Sequence, residues 1–192
     1  MLPVLFGYLA GSVPFAFLLA RRAGIDVRVA GSGNVGAANV LRTTGTSRAL
    51  MVMSLDVAKG AAAVLIANLV AGGVGIAALT GAAAIVGHIY PVWLRFHGGK
   101  GVAVAAGVFS VLSPIATSIA AALFLVIVWL TRYVSLGSIA ATLALPPVAW
   151  WWGAPRAVVF TAAGSGALIL FRHRANLRRL RLGTERQVGS RT

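Results

Sequence analysis

Residues 49–69 read ALMVMSLDVAKGAAAVLIANL. A membrane-crossing helix needs about 20 mostly apolar residues, and this stretch supplies them with only two charges, Asp56 and Lys59. Three residues apart, the two share a helix face and can pair. Ionisable groups inside an apolar span are costly: they serve function, or they anchor a bundle as an ion pair. The sequence alone supports both readings about evenly. Asp56 is expected to orient Lys59 or a cation of the preceding loop rather than to act as a base.

Working outward, residues 1–20, 75–94, 115–131, 135–152 and 157–171 are also apolar and close to spanning length. Residues 102–112 are apolar but short, a brief span or a re-entrant piece. The chain is 59% hydrophobic and only 10% charged, which excludes an ordinary soluble globule. At 192 residues it is expected to form a single polytopic domain, 1–192. Residues 1–20 lack a charged leader and a cleavage signal, so they read as a retained first helix.

Charge sets the expected orientation. Seventeen Lys and Arg face three acids, for a net charge of +14. Fifteen of the seventeen cations fall in four groups: 21–48 (Arg21, Arg22, Arg28, Arg42, Arg48), 95–101 (Arg95, Lys100), Arg132, and the tail 172–192 (Arg172, Arg174, Arg178, Arg179, Arg181, Arg186, Arg191). Counting 102–112 as a crossing puts all four groups on one side; omitting it scatters them. The expectation is an all-α integral membrane protein: a bundle of seven transmembrane helices, N-terminus outside and C-terminus cytoplasmic. Arg156 alone falls in an outer loop, beside an aromatic belt at Trp150–Trp152. A basic soluble nucleic-acid binder would not carry these apolar runs. Without cysteine there is no disulfide or thiol nucleophile. Three dispersed histidines and three acids make no metal cage.

Two glycine clusters lie on the basic side. Gly31-Ser-Gly-Asn-Val-Gly36 fits the GxGxxG pattern, and Asp56 follows at the spacing of a ribose-binding acid. The dinucleotide reading fails because no strand precedes the glycines and Asp56 lies in an apolar span. The bland alternative is a flexible turn. Against it, Ser32, Asn34, Asn39 and Arg42 place polar donors beside bare backbone N–H groups. A short helix beginning within 35–41 would aim its N-terminus at an anion. His97-Gly-Gly-Lys-Gly101 is not a Walker loop, but its glycines let the backbone close on an oxyanion and Lys100 supplies a point charge. Two such loops on one face suggest two phosphorylated ligands. His88, near the end of the third span, reads first as a packing residue. His173, Asn176 and the only acid of the tail, Glu185, stand out from its arginines, which suit anionic headgroups. Glu185 is expected to fold the tail back onto the active face through a salt bridge.

Taken together, GSGNVGAANVLR at 31–42, DVAKG at 56–60, GHIYPVWLRFHGGKGV at 87–102 and RHRAN at 172–176 run in an order that resembles the bacterial acyl-phosphate:glycerol-3-phosphate acyltransferases. The resemblance covers essentially the whole chain. Ala38 replaces a usual Thr, and His97 a usual Lys. The resemblance implies transfer of a fatty acyl group from acyl phosphate to the 1-hydroxyl of glycerol 3-phosphate, giving lysophosphatidic acid and phosphate, the first step of phospholipid biosynthesis. It implies catalytic roles for Ser32, Arg42, Lys100, His173 and Asn176. Gly31, Gly33, Asn34, Gly36 and Asn39 would hold acyl phosphate, and Gly98, Gly99 and Gly101 glycerol 3-phosphate. Asp56, Lys59, His88 and Glu185 would support the site. No cofactor, metal or nucleic acid is implied. The expected partners are the two substrates, membrane lipids and, by functional coupling, the enzyme that makes acyl phosphate. The expected location is the bacterial cell membrane, multi-pass, with the active site on the cytoplasmic face. A phosphate transporter would show internal repeats and polar residues along a path across the bilayer, and a structural lipid-binding protein would not need paired glycine loops.

Overall fold

The computed structural model describes residues 1–189; Arg191, counted above with the tail, lies outside them. Among the described residues there are helices and no strands. The backbone groups into two compact units, Met1–Leu112 and Ser113–Thr192.

The first unit holds α1 (Leu2–Ser12), α2 (Phe15–Arg21), α3 (Ala37–Thr44), α4 (Thr46–Ala71), α5 (Val74–Ile89) and α6 (Val102–Leu112), with a 3-10 turn at Val92–Leu94. The first apolar stretch is therefore interrupted. Pro14 has no N–H to donate and pushes its predecessor out of the helical region, and Val13 is extended, with φ −60° and ψ 116°. Likewise α5 stops at Ile89, short of residue 94, with Pro91 just beyond.

α4 packs on both α5 and α6, and α1 packs on α5. Glycines set these contacts. A β-carbon on Gly11 would fall on the Ala84 backbone, and one on Gly87 on the Tyr8 carbonyl. Gly60 meets the Val104 carbonyl and Gly107 the Val57 carbonyl in the same way. Small residues allow such backbone approach, which replaces the hydrophobic drive that lipid cannot supply. A second cluster packs α2, α3 and the start of α4 around Ala16, Ala20, Val27, Val35, Val40 and Val52.

The second unit holds α7 (Pro114–Thr131), α8 (Val134–Trp151), α9 (Arg156–Arg172) and α10 (Arg174–Arg181). α8 packs on α7 and on α9. Among the described residues five helical segments are long and apolar enough to cross a membrane: Leu2–Arg21, Thr46–Ala71, Val74–Leu94, Pro114–Thr131 and Val134–Trp151. α6 matches the expected 102–112, but eleven residues rise only about 16 Å, roughly half of a ~30 Å hydrocarbon core.

Replacing Gly107 by Val is expected to lower stability by at least about 1–3 kcal/mol through overpacking. Gly164→Ala, in open space within α9, is expected to raise it by up to about 1 kcal/mol through helix propensity. Thermal unfolding in detergent checks both.

Candidate active site

The first basic loop is built around one buried amide. Asn39, 1% exposed on α3, accepts from the Ser32 N–H at 2.8 Å and donates to the Val27 and Ala30 carbonyls at 2.9 and 3.0 Å. Its side chain thus ties residues 27–32 to the helix that follows. Gly31, at φ +63°, lies against that amide, where a β-carbon would overlap Asn39 Oδ1. Only glycine satisfies both demands at low cost. α3 begins at Ala37, so its N-terminal amides follow directly on the glycine cluster.

Upstream, Arg28 donates to both oxygens of Asp26, with Nη2 to Oδ2 at 2.6 Å, and stacks on Phe17 at 4.7 Å. Hydrogen bonds from the Arg28 side chain and backbone hold the Asp26 carboxyl down at about 2. Neither Asp26 nor Phe17 stood out in the sequence, although the Asp-x-Arg spacing is a local signal for such a clamp.

Lys59 is the centre of the unit. Its Nζ lies 2.8 Å from Asp56 Oδ1, donates to the Val13 carbonyl at 2.8 Å, and lies 3.1 Å from His88 Nδ1. The Phe15 ring centroid lies 5.4 Å away. The Asp56 contact has ion-pair distance without the angles of a directed hydrogen bond. The expected Asp56–Lys59 pair is therefore present, and it is joined by two groups the sequence did not connect to it. One is His88. The other is the carbonyl before Pro14, which the helix break leaves available; a Val-Pro step inside an apolar run was its only advance signal.

The second glycine loop folds back on the end of α5. The Gly98 N–H donates to the Ile89 carbonyl and the Gly99 N–H to the His88 carbonyl, both at 3.1 Å. Arg95 and Phe96 take left-handed backbone, at φ 50° and 63°, held by the Phe96 N–H to the Pro91 carbonyl at 2.9 Å. Gly99 is wedged between His88 Nε2 and the Val35 carbonyl of the first loop. His88, Gly98 and Gly99 thus line one narrow cleft with Val13, Pro14, Val35 and Asp56. Ser32 and Arg42 are exposed on the first loop and α3, and Lys100 is half-buried after Gly99.

In the second unit, Glu185 is buried and accepts from Ser135 Oγ at 2.8 Å, Asn176 Nδ2 at 2.6 Å and Arg179 Nε at 2.6 Å. These bonds dock the tail on the start of α8, helped by the Val188 N–H to the Arg132 carbonyl at 2.8 Å. The expected salt bridge exists, with Arg179; Ser135 was not foreseen. His173 is buried and Nδ1 donates to the Ile169 carbonyl at 2.8 Å. Burial pushes the Glu185 carboxyl up, but the bonds from Asn176, Ser135 and Arg179 outweigh it and the net shift is downward.

Paired glycine-rich cationic loops beside apolar spans suit a membrane protein that handles phosphorylated ligands. Comparison with known proteins specifies it. The glycerol-3-phosphate acyltransferase profile matches residues 1–183. The chain is 43% identical to glycerol-3-phosphate acyltransferase 1 of Deinococcus radiodurans, covering 98% of this chain and 96% of that one. It is 43% identical to the glycerol-3-phosphate acyltransferase of Rubrobacter xylanophilus, covering 100% and 96%. The crystal structure of PlsY (YgiH), an integral membrane glycerol 3-phosphate acyltransferase, in its glycerol 3-phosphate form superposes with a TM-score of 0.94 at 42% identity, covering 98% of this chain and 94% of that one. Its lysophosphatidic acid form gives 0.91. The chain belongs to the glycerol-3-phosphate acyltransferase family: it is an acyltransferase with an all-helical integral membrane fold.

Gly99→Ala drives a β-carbon into the His88 ring and the Val35 carbonyl. It is expected to lower kcat/KM for acyl transfer at least about tenfold, the effect of a loss near 1.4 kcal/mol; saturation kinetics read it directly. Glu185 gives a pH prediction. Its folded pKa lies below the ordinary 4.5, so its contribution is complete above that value and is lost as pH falls through the lower folded one. Amide exchange at residues 182–189 is expected to accelerate only below about pH 4.5, and Glu185→Gln to abolish that acid step.

Proposed function

We propose that this chain transfers a fatty acyl group from acyl phosphate to the 1-hydroxyl of glycerol 3-phosphate, releasing lysophosphatidic acid and phosphate, as the first step of phospholipid biosynthesis. The observation that carries the reading is the likeness, over nearly the full chain, to a protein solved in both a glycerol 3-phosphate form and a lysophosphatidic acid form. Acyl phosphate as donor is supported by the two anion-binding loops, one for each phosphate.

In this reading the first loop, Gly31, Gly33, Asn34 and Gly36, holds acyl phosphate; the Gly33 N–H is given to the Ala30 carbonyl and shapes the loop, with Asn39 as its clamp. Ser32 and Arg42 bind phosphate oxygens and position the reacting groups. The loop Gly98, Gly99, Lys100 and Gly101 holds glycerol 3-phosphate; the Gly98 and Gly99 N–H groups are given to the Ile89 and His88 carbonyls, so these two glycines shape the loop and Lys100 supplies the charge. The resemblance adds catalytic roles for His173 and Asn176, with Glu185 holding Asn176 in place. Acyl phosphate is already an activated anhydride, so orientation, worth roughly 7–11 kcal/mol in favourable cases, and charge stabilisation carry the rate. The glycerol hydroxyl attacks the acyl carbon, the phosphate leaves, and a phosphate oxygen takes the hydroxyl proton.

The same reading places the chain in the bacterial cell membrane with seven crossings, N-terminus outside, and the basic segments 21–48, 95–101 and 172–192 on the cytoplasmic face, where the enzyme that makes acyl phosphate is functionally coupled to it. Counting 102–112 as a crossing gathers the basic segments on one side, and the positive-inside rule then favours this orientation.

Purified protein in lipid is expected to make lysophosphatidic acid and phosphate from palmitoyl phosphate plus glycerol 3-phosphate, and none from palmitoyl-CoA. No product from either donor, with folded protein, overturns the proposal. Arg42→Ala is expected to abolish turnover while the protein remains folded. A wild-type rate removes Arg42 from the site.

A further inference from the structure

The environment of Lys59 bears on the tautomer of His88. An ammonium has three protons and no lone pair. Around Lys59 Nζ stand two groups in hydrogen-bond contact, the Val13 carbonyl at 2.8 Å and His88 Nδ1 at 3.1 Å, with Asp56 Oδ1 at 2.8 Å as the counter-ion. With the Lys59 ammonium as donor in this contact, Nδ1 is the acceptor. A ring that accepts at Nδ1 is neutral and carries its proton on Nε2.

We propose that His88 is an oxyanion-hole residue, whose Nε2–H donates to the acyl carbonyl oxygen of the donor substrate. The proposal rests on the acyl-transfer reading above. Nε2 faces Gly99, at the point where the second glycine loop meets the Val35 carbonyl of the first. The ring is 8% exposed and borders a cleft with room for about one water-sized group, the size of a single oxygen. Of the two oxygens that react at the acyl carbon, one suits a donor at the meeting of the two loops. Donation to the attacking hydroxyl oxygen would lower its nucleophilicity. The carbonyl oxygen, by contrast, gains negative charge on the way to the tetrahedral intermediate, and preorganised donors act there.

The step balances without a change at His88. The hydroxyl oxygen bonds to the acyl carbon and the carbonyl π pair moves onto the oxygen held by Nε2–H. That pair returns as the bond to the phosphate breaks, and a phosphate oxygen takes the hydroxyl proton. His88 keeps its proton throughout, as a neutral imidazole serving as an electrophilic donor does.

The chain has three histidines, so nitrogen-15 NMR of histidine-labelled protein in lipid resolves the question. One ring is expected to show bare Nδ1 and protonated Nε2, and that signal is expected to vanish in His88→Gln. In Lys59→Met the ring is expected to change tautomer, because Nδ1 can then donate to Asp56 Oδ1, 3.6 Å away. In kinetics, His88→Phe keeps a ring without the donor. It is expected to lower kcat by about 10²–10³-fold, the usual effect of losing one oxyanion donor, with both KM values within about twofold, whereas His88→Gln, which supplies an amide N–H, recovers part of the rate. Protonated Nδ1 in the wild type overturns the proposal, and so does an unchanged kcat in folded His88→Phe. A rise in KM for glycerol 3-phosphate alone, or loss of one limb of the pH–rate profile, overturns it too. If the wild type makes no product, the acyl-transfer reading itself fails, and the tautomer measurement still reports on the ring.

Discussion

An ammonium in an apolar helix must be neutralised by its surroundings, and much of the first unit is organised around that requirement at Lys59. Removing such a charge from water costs several kcal/mol even after relaxation. Asp56 supplies the opposite charge from the same helix. The carbonyl of Val13 is available because Pro14 ends α1. Nδ1 of His88 comes from the last turn of α5. Three helices thus converge on one nitrogen, and the glycine loops emerge where they do because α2 and Gly98 continue from two of those converging ends.

The glycines do two different jobs. Within α1, α4, α5 and α6 they let backbones touch, so packing is set by main chain rather than by interlocking large side chains. In the loops they leave room for polar atoms. Gly31 yields to the Asn39 amide and Gly99 to the His88 ring. The rigidity of the first comes from the helices; the shape of the second comes from single side chains on α3 and α5.

What the sequence made legible was local. Residues 49–69 announced a span and an ion pair because both are readable within one helix. The glycine clusters and the motif order announced the family because they are contiguous. Contacts made across long separations were not legible. Lys59 meets Val13 across 46 residues and Ser135 meets Glu185 across 50. Hydropathy also reads through backbone breaks. It counted residues 1–20 as one helix and carried the third span to 94, because Pro14 and Pro91 act through dihedral angles and missing donors rather than polarity. Asn39 appeared as one more ligand-facing donor; that it turns inward depends on the fold of residues 27–32 against α3.

The spacing of Asp56 and Lys59 also bears on how the chain enters and assembles in a bilayer. Opposite charges one helical turn apart compensate each other as soon as α4 forms, before any neighbour arrives. The segment can therefore be inserted as a nearly neutral helix. What remains unmet is directional: ammonium protons still seeking acceptors. A carbonyl at a helix break and a ring nitrogen at a helix end satisfy them, and ordinary intact helices offer neither. The residual valence of one lysine thus acts as a sorting rule for lateral assembly, recognising α1 and α5 by their endings rather than by their faces.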